Sequence, residues 1–308
     1  MWLIPLLVAM AALPAAGAGG GGAAGADLGM DGGLAAALER PDEFVRRLLH
    51  PYDLATFRSE IWGSEAHYFA RSASLSHHNA DLVPFGQSEA GMHNFVSSCV
   101  SATEDNRGKH LQERKDITLV KRGSAPTVAR FKGSKAEAAK LPPAPNIPPP
   151  VVAANLEAGY SMVLNWMQYR SSPTAQLAEA FEAVFGHYTN INMYHTPGDE
   201  QAFLLHYDET DVFVLQLAGS KEWAVHEPAV RFARSDEARL ADEPLSKYKE
   251  VASHTMSPGD MLYIPRGVPH TARNLRSDAV STHITVRRPA CFRRCSDRSV
   301  LTPPGSGL

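Results

Sequence analysis

The sequence predicts a mainly β protein in which a helical N-terminal part precedes a jelly-roll barrel. Short strand-like runs follow one another after residue 150, turn residues separate them, and few helical segments lie between them. Many short strands in such a stretch favour a sandwich or a closed barrel. A parallel sheet would need a crossover helix between successive strands, and the sequence leaves no room for these helices.

The composition describes an ordinary globular protein with a sizeable core, since 44% of its 308 residues are hydrophobic and 20% are charged. A net charge of −3 gives no overall electrostatic basis for nucleic-acid binding, so no direct binding is expected. The three cysteines are too few for a disulfide framework and are expected to be free thiols. A basic cluster near the C-terminus is interpreted as a solvated tail; it comprises Arg287, Arg288, Arg293, Arg294 and Arg298.

Four regions are expected along the chain. Residues 1–35 are rich in Ala and Gly, and their apolar run from Trp2 to Leu13 resembles the core of a secretory signal, with a low-complexity extension as the alternative. Residues 36–150 form a helical and mixed N-terminal part that ends in a proline-rich connector. Residues 151–288 form the barrel, and residues 289–308 are expected to be an unstructured tail.

In the N-terminal part, an irregular apolar stripe predicts a helix from Leu34 to about Leu49. A second helix is expected to begin after Asp53, an N-cap residue, and to end at Gly63 before an aromatic strand. The segment DITLVKRG predicts a strand and a turn. The connector, Leu141 to Pro150, cannot continue a helix or a central strand because of its prolines.

In the barrel part, the segment TAQLAEAFEAVFG has apolar residues at helical spacing and Gly186 as a C-terminal stop, so it predicts a helix. Strands are expected in SMVLNWMQY before that helix, and after it in HYTNINMYH, QAFLLHYD, VFVLQLAG, KEWAVHE, DMLYIPR and STHITV. The charged stretch from Val230 to Ser253 is interpreted as a surface insertion in the barrel.

A candidate metal site includes His206 and Asp208 of QAFLLHYD. Residues i and i+2 of a strand share a face, so both side chains can enter one cavity. His270 follows a PGD turn, an MLYIP strand and the segment RGVP, and its strand end should lie beside the His206 strand in a closed barrel. Two imidazoles and one carboxylate with open positions make the facial triad of non-haem Fe(II) oxygenases. His206, Asp208 and His270 are therefore the predicted iron ligands.

Other histidines compete with His270 for the third position. His254 precedes the PGD turn, and His226 follows the KEW strand. His283 lies on the final strand, where alternation allows it to point inward. All three rank below His270, whose strand end is the one expected beside the His206 strand.

Several motifs, in the same order, resemble the Jumonji-C (JmjC) oxygenases of the ribosomal oxygenase family, which comprises protein-histidine hydroxylases and lysine demethylases. The motifs are EAVFG with NINMYHTPG, then HYDETDVFVLQLAGSKEW, then PGDMLYIPRGVPHTA and HITV. The resemblance covers about Leu38 to Thr285 and is strongest between Asn192 and Lys221. It implies a double-stranded β-helix (the cupin and JmjC jelly roll) with a helical N-terminal extension.

The resemblance also implies roles for single residues. The family's iron ligands fall on the same three residues that the spacing selects. Its lysine for the distal carboxylate of 2-oxoglutarate falls on Lys221, where an ammonium group is suitable because a buried carboxylate needs a charged partner. The family's pocket-lining Asn and Tyr fall on Asn192 and Tyr194, which share one face of their strand.

Two departures from the family bear on the substrate and the assembly. Arg287 follows HITV where the family often has a serine that contacts the substrate. The family continues into dimerising helices and a winged-helix module, whereas this sequence ends about twenty residues after Arg288. Dimerisation through those helices is therefore left open.

The function implied by the resemblance is that of an Fe(II)- and 2-oxoglutarate-dependent dioxygenase that uses O2 to hydroxylate a protein side chain. A ribosomal-protein histidine is the first expected target, and lysine demethylation of a histone tail is the second. The sequence does not separate them. The alternative from another class is a non-catalytic cupin that serves as a binding or scaffold protein and lacks the C-terminal module; the intact triad and Lys221 argue against it. The compartment is left open between the nucleus or nucleolus, which the resemblance implies, and the secretory pathway or an organelle, which the apolar N-terminus suggests.

Overall fold

The computed structural model describes the chain in several stretches: residues 41–70, 89–101, 116–121, 149–229, 233, 247–276 and 279–289. The expected signal segment, and the region from residue 1 to 35 as a whole, lie outside the described residues. None of the described helices has the length and apolar character that a membrane span requires. Cys99 is a buried free thiol, as predicted, whereas Cys291 and Cys295 lie outside the described residues.

The α-helices of the described residues all come before residue 186. They are α1 (Pro41–Leu49), α2 (Leu54–Thr56), which continues into a π-helical turn (Phe57–Ile61), α3 (Glu89–Ser101), α4 (Pro149–Glu157) and α5 (Ser172–Phe185), with a 3₁₀ turn (Met167–Tyr169) before α5. Asp53 caps α2 as predicted, because its carboxylate accepts the Thr56 N–H at 2.7 Å. Gly186 ends α5 as predicted, in a left-handed conformation (φ 66°) that suits glycine.

Helix α4 is missing from the sequence prediction, which treats Leu141–Pro150 only as a connector. Its first two residues, Pro149 and Pro150, occupy the first helical turn, where the absent proline N–H forfeits no hydrogen bond. The rest of the helix, VVAANLE, carries no further proline. The connector therefore leads directly into a helix.

Ten strands form two antiparallel sheets among the described residues. They are β1 (His67–Phe69), β2 (Ile117–Val120), β3 (Ser161–Leu164), β4 (Asn190–Thr196), β5 (Thr210–Ala218), β6 (Lys221–His226), β7 (Glu250–Met256), β8 (Met261–Ile264), β9 (His270–Arg273) and β10 (Ser281–Pro289). The larger sheet has the order β1-β8-β5-β10-β4-β3-β2, and the smaller has the order β7-β6-β9. Two antiparallel sheets with this interleaved strand order confirm the predicted jelly roll, a double-stranded β-helix.

The helices cover one face of the larger sheet. Phe213 of β5 lies at the centre of this contact, with its ring centroid 5.1 Å from that of Phe181 in α5 and 5.8 Å from that of Phe57 in the π-helical turn. Ile284 and Val286 of β10 are buried in the same core. Because strand side chains alternate, the neighbouring residues of β10 point to the opposite face, which looks toward the smaller sheet.

The predicted strand QAFLLHYD is wrong. This segment makes a single antiparallel bridge, in which His206 and His270 exchange two main-chain hydrogen bonds of 3.3 and 2.8 Å. Two residues later, the Asp208 carbonyl accepts a hydrogen bond from the Gly267 N–H (2.9 Å), which lies in the turn before β9. His206 and Asp208 line the pocket, whereas the main chain of the segment forms only this one bridge and no ladder.

The smaller sheet is the part that the sequence predicted least well. The insertion assigned to Val230–Ser253 overlaps β7, and β9 is absent from the prediction. β7 is an edge strand with mostly exposed side chains, so its composition resembles that of a polar loop. In addition, SMVLNWMQY keeps only its first four residues as β3, because a 3₁₀ turn follows.

The solvated-tail interpretation is also wrong for the first two arginines of the basic cluster. Arg287 and Arg288 lie in β10, and their side chains are only 24% and 20% exposed. Arg288 packs over the Trp62 ring at 4.7 Å and lies 3.7 Å from the Asp211 carboxylate. The other arginines of the cluster lie outside the described residues.

Candidate functional site

A pocket lies between the two sheets, and strands of both contribute to its wall. Its lining residues are Tyr194, Ala202, Phe203, His206, Asp208, Val212, Lys221, Trp223, His270, Ala272, His283 and Thr285. Apolar and aromatic side chains share this wall with several polar and titratable ones that converge on one cavity, as in a small-molecule site.

Three potential metal ligands meet at one end of the pocket, which we call the metal end. One ligand atom from each of His206, Asp208 and His270 lies within 4.8 Å of the others. The two imidazole centroids are 4.6 Å apart, and His270 Nε2 is 3.9 Å from Asp208 Oδ2. In the described part of the chain, no other trio of His, Cys, Asp or Glu side chains meets in this way. A single ion at their centre can contact all three residues.

The main chain fixes the tautomers of both histidines. His206 Nδ1 lies 2.8 Å from the Leu204 carbonyl oxygen, and His270 Nδ1 lies 3.0 Å from that of Val268. A carbonyl oxygen only accepts, so each Nδ1 carries the hydrogen and each Nε2 presents its lone pair. Burial and the neighbouring His206 lower the pKa of His270 to about 4, which keeps the imidazole neutral. Neutral imidazole is the form that ligates metals.

The carboxylate of Asp208 is held by an arginine. Arg287 Nη2 donates to Asp208 Oδ1 at 2.8 Å, and Arg287 Nε donates to Thr210 Oγ1 at 3.2 Å. The other carboxylate oxygen, Oδ2, is the one that approaches His270. The charge of Asp208 in turn raises the pKa of Arg287, which is therefore a permanent cation.

A lysine lies at the other end of the pocket, which we call the lysine end. Lys221, the first residue of β6, is only 3% exposed, and its Nζ donates to Thr196 Oγ1 at 2.8 Å. A longer contact of 3.4 Å joins Nζ to His283 Nδ1. No ion pair between Lys221 and an acidic side chain is found among the described residues, and burial lowers its pKa to about 7. A buried ammonium group without a carboxylate is costly, so this end of the pocket is suited to an anion.

The competing histidines do not join the metal end. His283 belongs to the lysine end, where it is stacked on Tyr194 (4.7 Å, 4°) and makes an edge contact with Trp223 (5.2 Å). Burial, followed by the charge of Lys221, lowers the pKa of His283 well below its ordinary value, so it is a neutral acceptor. His254 stacks on Tyr68 outside the pocket (4.5 Å).

Asn192 and Tyr194 have different surroundings although both lie on β4. Tyr194 lines the pocket, and it is paired in register with His283 of β10. Asn192 is buried opposite Thr285, and its Oδ1 atom has no hydrogen-bond partner in the described structure. Both positions are compatible with the predicted pocket roles, which remain predictions.

Sequence reasoning missed several residues that shape the pocket. Trp223 and Thr285 line it, and Thr196 holds the Lys221 ammonium. Strand parity carries the signal that would have found them, because Trp223 lies two residues after Lys221 and Thr285 lies two residues after His283. The same parity places Arg287 on the pocket face, two residues after Thr285, but it does not select Asp208 as the partner of Arg287.

The comparisons with known proteins agree with this geometry. Residues 165–292 match the family model of the JmjC domain. The matched region is therefore similar to a JmjC domain. It is 38% identical over 111 residues to ribosomal oxygenase 2 of Bos taurus, a match that covers 36% of this chain and 23% of that protein. All the predicted site residues lie inside the JmjC range.

The chain is also similar to a second curated protein and to a solved structure. The bifunctional lysine-specific demethylase and histidyl-hydroxylase NO66 of Dictyostelium discoideum is 37% identical over 142 residues, which are 45% of this chain and 27% of that protein. Among solved structures, the ribosomal oxygenase YcfD of Escherichia coli matches with a TM-score of 0.45 at 15% identity, over 79% of this chain and 53% of that one. The chain spans about a quarter of the length of the curated relatives, with 23% of the first and 27% of the second covered.

Proposed function

We propose that this chain is an Fe(II)- and 2-oxoglutarate-dependent dioxygenase that oxidises a protein side chain. One observation carries the proposal: a single pocket contains both a cluster of three metal-ligand side chains and a buried lysine without an acidic partner. 2-Oxoglutarate would need both features, because one of its ends chelates the metal and the carboxylate at its other end needs a cationic partner. We assign residues 151–288 to the catalytic barrel.

The donor set fits ferrous iron. Two imidazoles, each held through Nδ1 and so left with Nε2 for a metal, and one carboxylate match the two-histidine, one-carboxylate ligand set of non-haem Fe(II) oxygenases. Bound iron would supply the activation of O2, which amino-acid side chains do not supply by themselves. The overall reaction consumes 2-oxoglutarate, O2 and a C–H bond, and yields succinate, CO2 and a hydroxylated product.

The side chains around the metal end have binding and orienting roles. Lys221 would hold the distal carboxylate of 2-oxoglutarate, with Thr196 and the neutral His283 keeping its ammonium group in place. Tyr194, Trp223 and the aromatic wall would exclude water. Asn192 and Tyr194 are assigned to the wall that substrate and cosubstrate share.

The substrate proposal is a protein side chain of the kind that the names of the relatives indicate. Histidyl hydroxylation of a ribosomal protein is our first assignment, and lysine demethylation of a histone tail is the second, since both require the same iron site. Mass spectrometry of candidate peptides separates them. Hydroxylation adds one oxygen to histidine, whereas demethylation removes a methyl group from lysine.

The activity is tested by succinate release from 2-oxoglutarate with Fe(II), ascorbate and O2. We expect turnover by the wild type, loss of turnover in His206→Ala, and retained turnover in His254→Ala, a matched control because His254 lies outside the pocket. A wild type that binds neither Mn(II) nor 2-oxoglutarate in a thermal-shift titration contradicts the proposal and leaves the non-catalytic cupin as the better assignment.

A further inference from the structure

Arg287 holds one oxygen of the Asp208 carboxylate. Arg287 Nη2 occupies its Oδ1 oxygen at 2.8 Å, while Oδ2 lies 3.9 Å from Nε2 of His270. The two carboxylate oxygens, which are equivalent in a free side chain, therefore have different surroundings. The interaction that distinguishes them is a charge-assisted hydrogen bond, which is stronger than a neutral one.

The guanidinium group is itself anchored. Arg287 Nε donates to Thr210 Oγ1 at 3.2 Å, and Thr210 is the first residue of β5, next to β10 in the larger sheet. Arg287 lies two residues after Thr285 on β10, so strand alternation places both on the face that borders the pocket. The side chain is 24% exposed, which limits competition from water. The guanidinium group is thus anchored by two neighbouring strands of the larger sheet.

We propose that Arg287 is a positioning residue for the metal centre, which holds Asp208 with one carboxylate oxygen turned toward His270 before a metal binds. The inference rests on the proposed function. Asp208 needs such support because its segment is not part of a strand ladder. The histidine rings are oriented by main-chain carbonyls, and Arg287 performs the corresponding task for the carboxylate.

Positioning and simple electrostatics predict opposite results when the arginine is removed. Arg287 is a cation beside a cation-binding site, so its charge alone repels Mn(II) or Fe(II), and its loss would tighten binding. If Arg287 orients the ligand, its loss removes the hydrogen bond that fixes Oδ1, and binding weakens. The sign of the change therefore decides between the two roles.

The experiment measures the Mn(II) dissociation constant of the full chain by the EPR signal of free Mn(II). We expect Arg287→Met to weaken Mn(II) binding by about 10–100-fold, the usual cost of losing an outer-shell partner of a metal ligand. Arg287→Lys, which keeps a donor and a charge, should recover most of the affinity. Arg288→Met is the matched control and should bind as the wild type does, because Arg288 faces Trp62 and Asp211.

A second variant keeps the test decisive if Arg287→Met does not fold. Thr210→Val keeps the shape of the side chain and removes only the acceptor of Arg287 Nε, so it should weaken Mn(II) binding in the same direction by a smaller factor. Unchanged or tighter Mn(II) binding by both variants overturns the inference while the proposed function stands, provided that the wild type binds Mn(II) and releases succinate. A wild type that binds no Mn(II) overturns both.

Discussion

The two ends of the pocket are built in different ways. At the metal end, His206 and Asp208 come from irregular main chain, and each of the three ligands has a polar atom already engaged, by a carbonyl or by Arg287. At the lysine end, Lys221 and its two partners come from strands β6, β4 and β10. The residues of the metal end are already oriented by hydrogen bonds and are suited to bind a cation. The lysine end already contains a cation, Lys221, and is suited to bind an anion.

This difference means that the two ends can be disrupted separately. A loss at the metal end should abolish the binding of metal and, with it, the chelation of 2-oxoglutarate. A substitution at the lysine end should leave metal binding unchanged and weaken only the binding of 2-oxoglutarate. Binding measured with Mn(II) and then with 2-oxoglutarate on the Mn(II)-loaded protein distinguishes these outcomes.

The largest expected effect is at the metal end. Asp208→Asn keeps the size of the side chain and removes the anionic ligand, so metal binding should be lost. At a Mn(II) concentration of 100 times the dissociation constant, the wild type should gain about 2.7 kcal/mol in the free energy of unfolding. The variant should gain almost nothing at the same concentration. Equal gains, measured by denaturant titration, would place the metal elsewhere.

The next largest effect is at the lysine end. Lys221→Met should leave Mn(II) binding unchanged and weaken 2-oxoglutarate binding by about 2 kcal/mol or more, roughly 30-fold. The same variant should raise the thermal stability of the ligand-free protein, because it replaces a buried charge that lacks an acidic partner with an apolar group. A variant that is less stable and yet binds 2-oxoglutarate normally contradicts the assignment of Lys221.

A smaller effect is expected from pH. Burial lowers the pKa of Lys221 to about 7 in the empty pocket, so the group is protonated below pH 7 and loses its charge as the pH rises above it. Binding of a carboxylate then requires proton uptake, and the affinity for 2-oxoglutarate should fall by at most about tenfold per pH unit above pH 7. Lys221→Arg should remove this dependence, because arginine stays charged. The measurement is calorimetry on the Mn(II)-loaded protein from pH 6 to 9.

The smallest effect concerns the partner of the lysine. Thr196→Val removes the hydroxyl that accepts from Lys221 Nζ at 2.8 Å. We expect about a fivefold loss of 2-oxoglutarate affinity at pH 7.5, in keeping with one hydrogen bond of about 1 kcal/mol. The loss should shrink at pH 6, where the lysine remains protonated. An equal loss of 2-oxoglutarate affinity at both pH values would indicate that the substitution changes the shape of the pocket instead.

The fold and the metal end follow from local pattern to a large extent. Alternation within VFVLQLAG and STHITV predicted β5 and β10, and the turn before MLYIP predicted the strand that leads toward His270. The grouping of His206 with Asp208 followed from their spacing, even though the strand expected to carry them is absent. Side chains two residues apart lie on the same side of any extended main chain, whether or not that main chain hydrogen-bonds to a neighbouring strand.

Other features depend on contacts that span the sequence, so no local pattern predicts them. The pairing of Arg287 with Asp208 arises because β10 lies beside β5 in the sheet, and a view limited to neighbouring residues assigned this arginine to a tail. Lys221 was selected only through the family resemblance, since a lysine after a Gly-Ser turn has no distinguishing spacing. The sequence prediction missed the polar edge strand β7 for a local reason, because exposed strands and loops have similar compositions.

The most direct test of the account is the position of the metal and of the oxoacid in one crystal. Crystals soaked anaerobically with Mn(II) and 2-oxoglutarate should give one strong anomalous peak within bonding distance of His206, Asp208 and His270. The far carboxylate of 2-oxoglutarate should lie against the Lys221 ammonium group. A metal peak outside this trio, or an oxoacid that leaves Lys221 without a carboxylate, would contradict the claim that both ends of the pocket bind one metal–cosubstrate pair.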